Sequence, residues 1–416
     1  MTTATVSAAP TVPLRQDAGT IALVGLAHSI SHFSQLLLAP LFPWLKDAFA
    51  VSYAELGLLM SVFFVVSCAV QALSGFVVDQ RGPLPVLVGG LGLIALAAFG
   101  FSISQQYWHL VVFSMVAGVG NGVFHPVDYT LINHKISKPR LGHAYSVHGV
   151  TGSLGWAVAP VLLVPVTIAY SWRVAMLCAA GLALLVLAVV WLNRRHLQLP
   201  SSSPAAGAAS PAAHAQGGSF DFLSIPAVWM CFAFFLFFAM SLSGVQSFAP
   251  EAARLLHGVS KDLAAMCLTI YMVCSAGGML AGGFLASDPA RCERIVGIGF
   301  GVAASVALTM GLADVPGAMV PVLFGAMGFF AGLAGPSRDL LVKRSTPDNA
   351  TGRVYGVVYS GLDIGQAVAP LAYGLLMDHG LPGAVWVGIA MVQAVLIVSA
   401  FNVRRVRRTA LVSAPA

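Results

Sequence analysis

Gly118-Val-Gly-Asn-Gly122-Val-Phe-His-Pro126 and Gly328-Phe-Phe-Ala-Gly332-Leu-Ala-Gly-Pro336 are one pattern written twice, 210 positions apart. The register holds without a gap from 118 to 160 and from 328 to 370, pairing Leu131 with Leu341, Gly142 with Gly352, Tyr145 with Tyr355 and Val147 with Val357. It closes on Gly155-Trp-Ala-Val-Ala-Pro160 against Gly365-Gln-Ala-Val-Ala-Pro370. In a mostly apolar chain, a repeat of this length predicts two membrane bundles of like topology.

The 416 residues are 58% hydrophobic and 9% charged, far more apolar surface than a soluble core of this length needs. Crossing roughly 30 Å of hydrocarbon at 1.5 Å per residue takes about 20 apolar residues. Such stretches fall near 21–45, 54–78, 84–104, 108–133, 143–167, 172–193, 226–250, 262–286, 293–312, 317–342, 353–377 and 383–403. The predicted class is therefore all-α, with twelve transmembrane helices in two pseudo-symmetric six-helix bundles. The segments are too long, and alternate too little, for a membrane barrel.

An even number of spans puts both ends on one side, and Lys and Arg decide which. One side would hold Arg15, Arg81, Lys135, Lys138, Arg140, Arg194, Arg195, Arg291, Arg294, Lys343, Arg344, Arg353 and the tail Arg404, Arg405, Arg407 and Arg408. The other holds Lys46, Arg173, Arg254 and Lys261. Both termini are expected in the cytoplasm of a bacterial inner (plasma) membrane. The net charge of +6 then reflects topology and calls for no nucleic-acid partner. Six Cys without a CxxC pair argue against a disulfide framework or a zinc site.

Composition divides the chain into a disordered cytoplasmic N-terminus (1–19), an N-terminal bundle (20–193), a cytoplasmic linker rich in Arg and then Ser, Pro, Ala and Gly (194–224), a C-terminal bundle (225–403) and a cytoplasmic tail (404–416). The chain is expected to act as a monomer in a lipid bilayer, without a cofactor. No nucleotide loop or nucleophile-base pair suggests an enzyme.

After the second span, Gly75-Phe-Val-Val-Asp79-Gln-Arg81-Gly82 resembles the Gly-x-x-x-Asp-x-x-Gly signature of the major facilitator superfamily. The second half carries a degenerate copy, Gly283 with Asp288. The resemblance implies that Asp79 and Arg81 gate the cytoplasmic side by clamping neighbouring helices; the alternative is a hydrated loop with ordinary charges. Phe124-His125-Pro126, Leu41-Phe-Pro43-Trp-Leu-Lys46 and Ser52-Tyr-Ala-Glu-Leu-Gly57 resemble the fosmidomycin-resistance-like group of that superfamily. That group commonly places an acid four residues after the first-span His. Here His28 is followed by His32. Gly149, Gly152 and Gly155, with Ala159-Pro160, partly resemble the antiporter motif of drug exporters.

Ionisable groups at membrane depth are costly and usually face a water-filled path. His28, His32 and Gln35 share one face of the first span, and Asn121, His125 and Asp128 repeat the spacing on the fourth at matching depth. The resemblance makes these spans, with the seventh and tenth, walls of a central cavity. His32, His125 and Asp128 are then the expected proton-coupling or substrate contacts, since imidazole exchanges protons near neutral pH. For His28 a bond to a helix neighbour competes with that role. The repeat aligns Asp128 with Arg338, which could pair across the cavity or receive an anionic substrate group; an ion cluster with Asp339 and Lys343 is the alternative. Tyr359 and Asp363 lie on one stripe of the eleventh span, with Asp363 near mid-bilayer. Gln246 and His148 are further substrate-facing candidates, with helix packing as the competing role.

These readings predict a secondary active transporter working by alternating access: proton-coupled export, as an antiporter, of a small organic compound, anionic and drug-like, with antibiotic efflux as the type. The alternative is import of a transition-metal cation such as copper, with His28, His32, His125 and His148 as ligands beside scattered Met residues such as Met240, Met266 and Met272.

Overall fold

A computed structural model describes residues 14–199, 226–285, 291–345 and 352–412, with side chains undescribed at 142, 227, 338–345, 352–359 and 399–412. Arg338, Asp339, Lys343 and Tyr359 therefore lie outside the described side chains, and Asp288 outside the described residues. All regular structure among the described residues is helical. The first half comprises α1 (Leu14–Gln35), α2 (Phe42–Phe49), α3 (Tyr53–Arg81), α4 (Pro83–Ile103), α5 (Tyr107–Asn121), α6 (Phe124–Lys135), α7 (Leu141–Ala169) and α8 (Trp172–Leu192). The second comprises α9 (Pro226–Ser247), α10 (Ala249–His257), α11 (Lys261–Leu285), α12 (Cys292–Leu312), α13 (Val320–Ser345), α14 (Gly352–Asp378) and α15 (Pro382–Val412). Ten spans are long and apolar enough to cross a membrane among the described residues. Helices α14 and α15 stand where the eleventh and twelfth were expected.

The duplication is visible in the packing. Helix α1 lies on α7, α3 on α5 and α4 on α8; α9 on α14, α11 on α13 and α12 on α15 repeat those pairs. The halves meet along α3 with α14 and α7 with α11. Paired glycines set the closest approaches, since no hydrophobic effect draws helices together in lipid. A Cβ on Gly118 would stand 2.6 Å from the Phe63 carbonyl of α3, and one on Gly328 would strike the Tyr271 carbonyl of α11.

Local chemistry explains the helix ends. Ser52 and Glu55 form a capping box that starts α3, and Ser171 caps α8 by accepting from Val174 N. Gly82, at φ +79°, turns α3 into α4 with Pro83 at the first position. The first span is a broken helix rather than a single one. Pro40 and Pro43 interrupt it, so α1, a short 3-10 turn and α2 together make a 36-residue element, Leu14–Phe49.

At both ends of the described chain, helix reaches into segments set apart by composition. Helix α1 begins at Leu14, inside the stretch expected to be disordered, because buried Asp17 accepts from Arg140 Nη1 at 2.8 Å and from Ser137 Oγ at 2.5 Å. Helix α15 likewise runs on to Val412, into the expected tail.

Candidate functional site

The fourth span breaks at Gly122-Val123, between α5 and α6, just before His125. Pro126 has no N–H, so the Gly122 carbonyl lacks its usual helical donor. Ser74 Oγ donates to that carbonyl at 3.3 Å. The aligned span α13 carries Pro336 without a break. The broken turn thus aims His125 and Asp128 of the first half, without a counterpart in the second.

Asp128 is fully buried, and its Oδ2 accepts from His28 Nδ1 at 2.8 Å and from His148 Nε2 at 3.1 Å. His28 comes from α1 and His148 from α7, so one carboxylate oxygen ties three spans. The His28 and His148 rings stack at 3.6 Å between centroids and 26° between planes. His125 lies 5.3 Å from His28 and 6.1 Å from His148, and His32 lies 4.6 Å from His28. Tyr129 stacks beside His125 at 5.8 Å, and Trp156 lies 4.3 Å from His32. Asp128 Oδ1, His125 Nδ1 and His32 Nδ1 are buried and have no hydrogen-bond partner among the described residues.

Toward the far end of the bundle, opposite the chain termini, the imidazoles give way to a neutral network. Asn121 Oδ1 accepts from Ser31 Oγ at 2.7 Å and from Gln35 Nε2 at 3.4 Å, while Asn121 Nδ2 donates to Ser67 Oγ at 2.7 Å. Gln35 Oε1 accepts from Trp156 Nε1 at 2.9 Å. Each amide is oriented by its partners.

The structure brings together His28, His32, Gln35, Asn121, His125, Asp128 and His148, but as a packed cluster inside one half. The expectation was two polar faces meeting across water; His28 and Asp128 meet directly instead. The described partners of Asp128 are His28 and His148, and no pairing with Arg338 is described. Asp363 faces α3, where Gln71 Nε2 donates to it at 3.4 Å, as α14 packs on α3 at the junction between halves. Gln246 is buried in α9 with its Nε2 unpartnered among the described residues. Asp79 and Arg81 are exposed, and no ion pair involves them among the described residues. The ligand set weighed for a metal is assembled in part. One ligand atom from each of His28, His125 and His148 lies within 4.8 Å of the others, so three of the four imidazoles weighed come together.

Sequence reasoning missed Trp156, Ser67 and Tyr129. Trp156 follows His148 by eight residues with Gly152 midway, a helical stripe that could have found it. Ser67 had no signal, since its meeting with Asn121 depends on how α3 and α5 cross.

The far end also shows how the halves are held. Asp378, closing α14, accepts from Tyr53 N and Ala54 N at 2.8 Å each. Tyr53 Oη donates to Glu251 at 2.7 Å, Arg254 grips Glu251 through two bonds of 2.8 Å, and Lys261 meets Asp47 at 2.5 Å. Outside the membrane spans, those bonds from Glu251 raise the Arg254 pKa above the ordinary guanidinium value. Every one of these contacts except the Glu251 pair joins one half to the other at the far end.

Known proteins of similar sequence and fold complete the picture. The Fosmidomycin resistance protein of Escherichia coli (strain K12) is 24% identical over 396 residues, covering 90% of each chain. The Multidrug resistance protein B homolog of Mycobacterium tuberculosis (strain ATCC 25618 / H37Rv) is 25% identical over 187 residues, 44% of this chain and 35% of its own. The Probable sulfoacetate transporter of Cupriavidus necator is 26% identical over 162 residues, 38% of this chain and 37% of its own. Among solved structures, a bacterial homologue of the human lysosomal transporter Spinster, in an inward-facing and occupied conformation, shares the fold with a TM-score of 0.69. It is 15% identical, covering 95% of this chain and 96% of its own. The family model of the Major Facilitator Superfamily matches residues 24–370 and 256–415, and with its packing duplicated between the halves the chain belongs to that superfamily of multi-pass membrane transporters.

Proposed function

We propose that the protein is a proton-coupled exporter of a small, anionic, drug-like organic compound in the bacterial inner membrane, with both termini cytoplasmic. The observation that carries this reading is Asp128, fully buried between His28 and His148. With one proton on the cluster, the carboxylate and its imidazoles sum to no net charge. Without it they leave a buried negative charge, which costs several kcal/mol in a bilayer. Release of the proton therefore favours a state in which water or substrate reaches the cluster, which is the coupling alternating access needs.

Similarity to the Fosmidomycin resistance protein over 90% of each chain supports export. In this reading Arg338 receives the anionic part of the substrate, its planar fork suiting carboxylate or phosphonate. The far-end contacts hold that end shut, which supports opening on the terminal side. Asp79 and Arg81, exposed there, are a clamp in its released position.

The test is flux in proteoliposomes with and without an imposed pH gradient, using fosmidomycin, other phosphonates, carboxylates and copper. A saturable flux of an organic anion that follows the gradient is expected; no response from any compound would overturn the reading. Replacing His32, His125 or Asp128 singly should abolish driven accumulation yet leave counterflow exchange. Unchanged driven transport in all three would remove these residues from coupling.

A further inference from the structure

We propose that His28, His148, Asp128 and His125 form a binding site for a borderline divalent cation, Zn2+ being the probe, and that the bound cation blocks the transporter rather than travelling through it. The cation and the proton reading above share residues, but the binding claim rests on ligand geometry alone.

Zinc takes imidazole nitrogens and carboxylate oxygens at about 2.0–2.2 Å in a tetrahedron, which sets neighbouring ligand atoms roughly 3.3 Å apart. Asp128 Oδ2 stands 2.8 Å from His28 Nδ1 and 3.1 Å from His148 Nε2, close to that edge. Separately, one ligand atom from each of His28, His125 and His148 lies within 4.8 Å of the others, so the three rings must close in by up to roughly 1.5 Å to reach that edge. Asp128 Oδ1 and His125 Nδ1 are the independent sign: both are buried without a hydrogen-bond partner among the described residues. Two donors crowd one oxygen while its neighbour has none. A cation bound by the carboxylate and three rings would use this donor set, and mixed nitrogen and oxygen ligands suit Zn2+ and its neighbours in the first row.

The origin of the ligands argues for a blocker. All four come from α1, α6 and α7, within the first half, and a four-ligand set leaves no open position for exchange. Cargo in this architecture sits between the halves and must change partners as they move. A cation here would instead fix the broken fourth span to its neighbours.

The experiment uses the full-length protein, stripped with EDTA and purified in detergent. Equilibrium dialysis against Zn2+ should give one ion per chain, and Asp128→Asn and His148→Ala should each weaken binding at least tenfold, in line with loss of a ligand. His379→Ala, at an exposed position, should bind as the parent does. Zn2+ should raise the thermal midpoint of the parent and not of His148→Ala, and the midpoint without zinc tells a folded variant from an unfolded one. In proteoliposomes, Zn2+ should inhibit substrate flux over the concentration range in which it binds. No stoichiometric binding, or equal binding in Asp128→Asn and His148→Ala, would overturn the site. Accumulation of radioactive zinc in the lumen would overturn the blocker and make the ion cargo. Proton-driven flux is measured in EDTA, so a failure of the coupling reading and a failure of the cation site give separate results.

Discussion

The carboxylate of Asp378, the last residue of α14, caps the first turn of α3 in the other half, accepting from Tyr53 N and Ala54 N at 2.8 Å each. A helix start normally finds its cap in its own chain segment, and α3 has one in Ser52. The second cap comes from the opposite bundle, so it exists only while the far end is shut. Asp378→Ala removes it at a cost of about 0.5–2 kcal/mol, the usual range for a lost cap. Spin labels on the far-end loops of the two halves should show the long-distance population growing several-fold; unchanged distances would mean the cap does not bias the equilibrium.

Gly57 of α3 lies against the Pro370 carbonyl of α14, where a Cβ would clash with backbone. Gly57→Val should therefore hinder closure between halves, while Gly118→Val, inside one half, should lower the thermal midpoint through about 1–3 kcal/mol of overpacking. Solvent accessibility of far-end cysteines separates the two: it should rise for Gly57→Val only.

Removing the carboxylate that both rings donate to is predicted to be more harmful than neutralising it. Asp128→Ala strands His28 Nδ1 and His148 Nε2, at about 1–3 kcal/mol for each buried unsatisfied group, whereas Asp128→Asn keeps an acceptor. Melting in detergent should rank parent, Asn and Ala in descending order. Equal midpoints for the two variants would show that water replaces the lost bonds.

Asp363 faces Gln71 across the junction between halves rather than the imidazole cluster. Asp363→Asn should accordingly change the distance distribution between halves and leave Zn2+ binding at the cluster untouched. A loss of zinc binding in that variant would mean the two sites are coupled.

The 210-residue repeat made the fold legible because helix packing in lipid depends on where small residues and prolines fall, and those positions were duplicated. Half of the candidate site was legible for a similar reason: helical periodicity puts His28 beside His32 and His125 beside Asp128. Periodicity cannot say which face meets which. His148 looked like one polar residue among several, and its place against Asp128 follows from α7 lying on α1. Asp363, at the right depth by counting, turned out to point at α3, since depth fixes height in a bundle and leaves rotation to the neighbours.

Sequence by itself thus determined the class, the two halves and the residues at membrane depth, all of which depend on composition and spacing along the chain. Only tertiary structure decided that one carboxylate oxygen would gather two imidazoles, and that a carboxylate of one half would cap a helix of the other. Those contacts bridge 20 to 325 positions of sequence, and their geometry is set by how rigid helices cross, which no local pattern encodes.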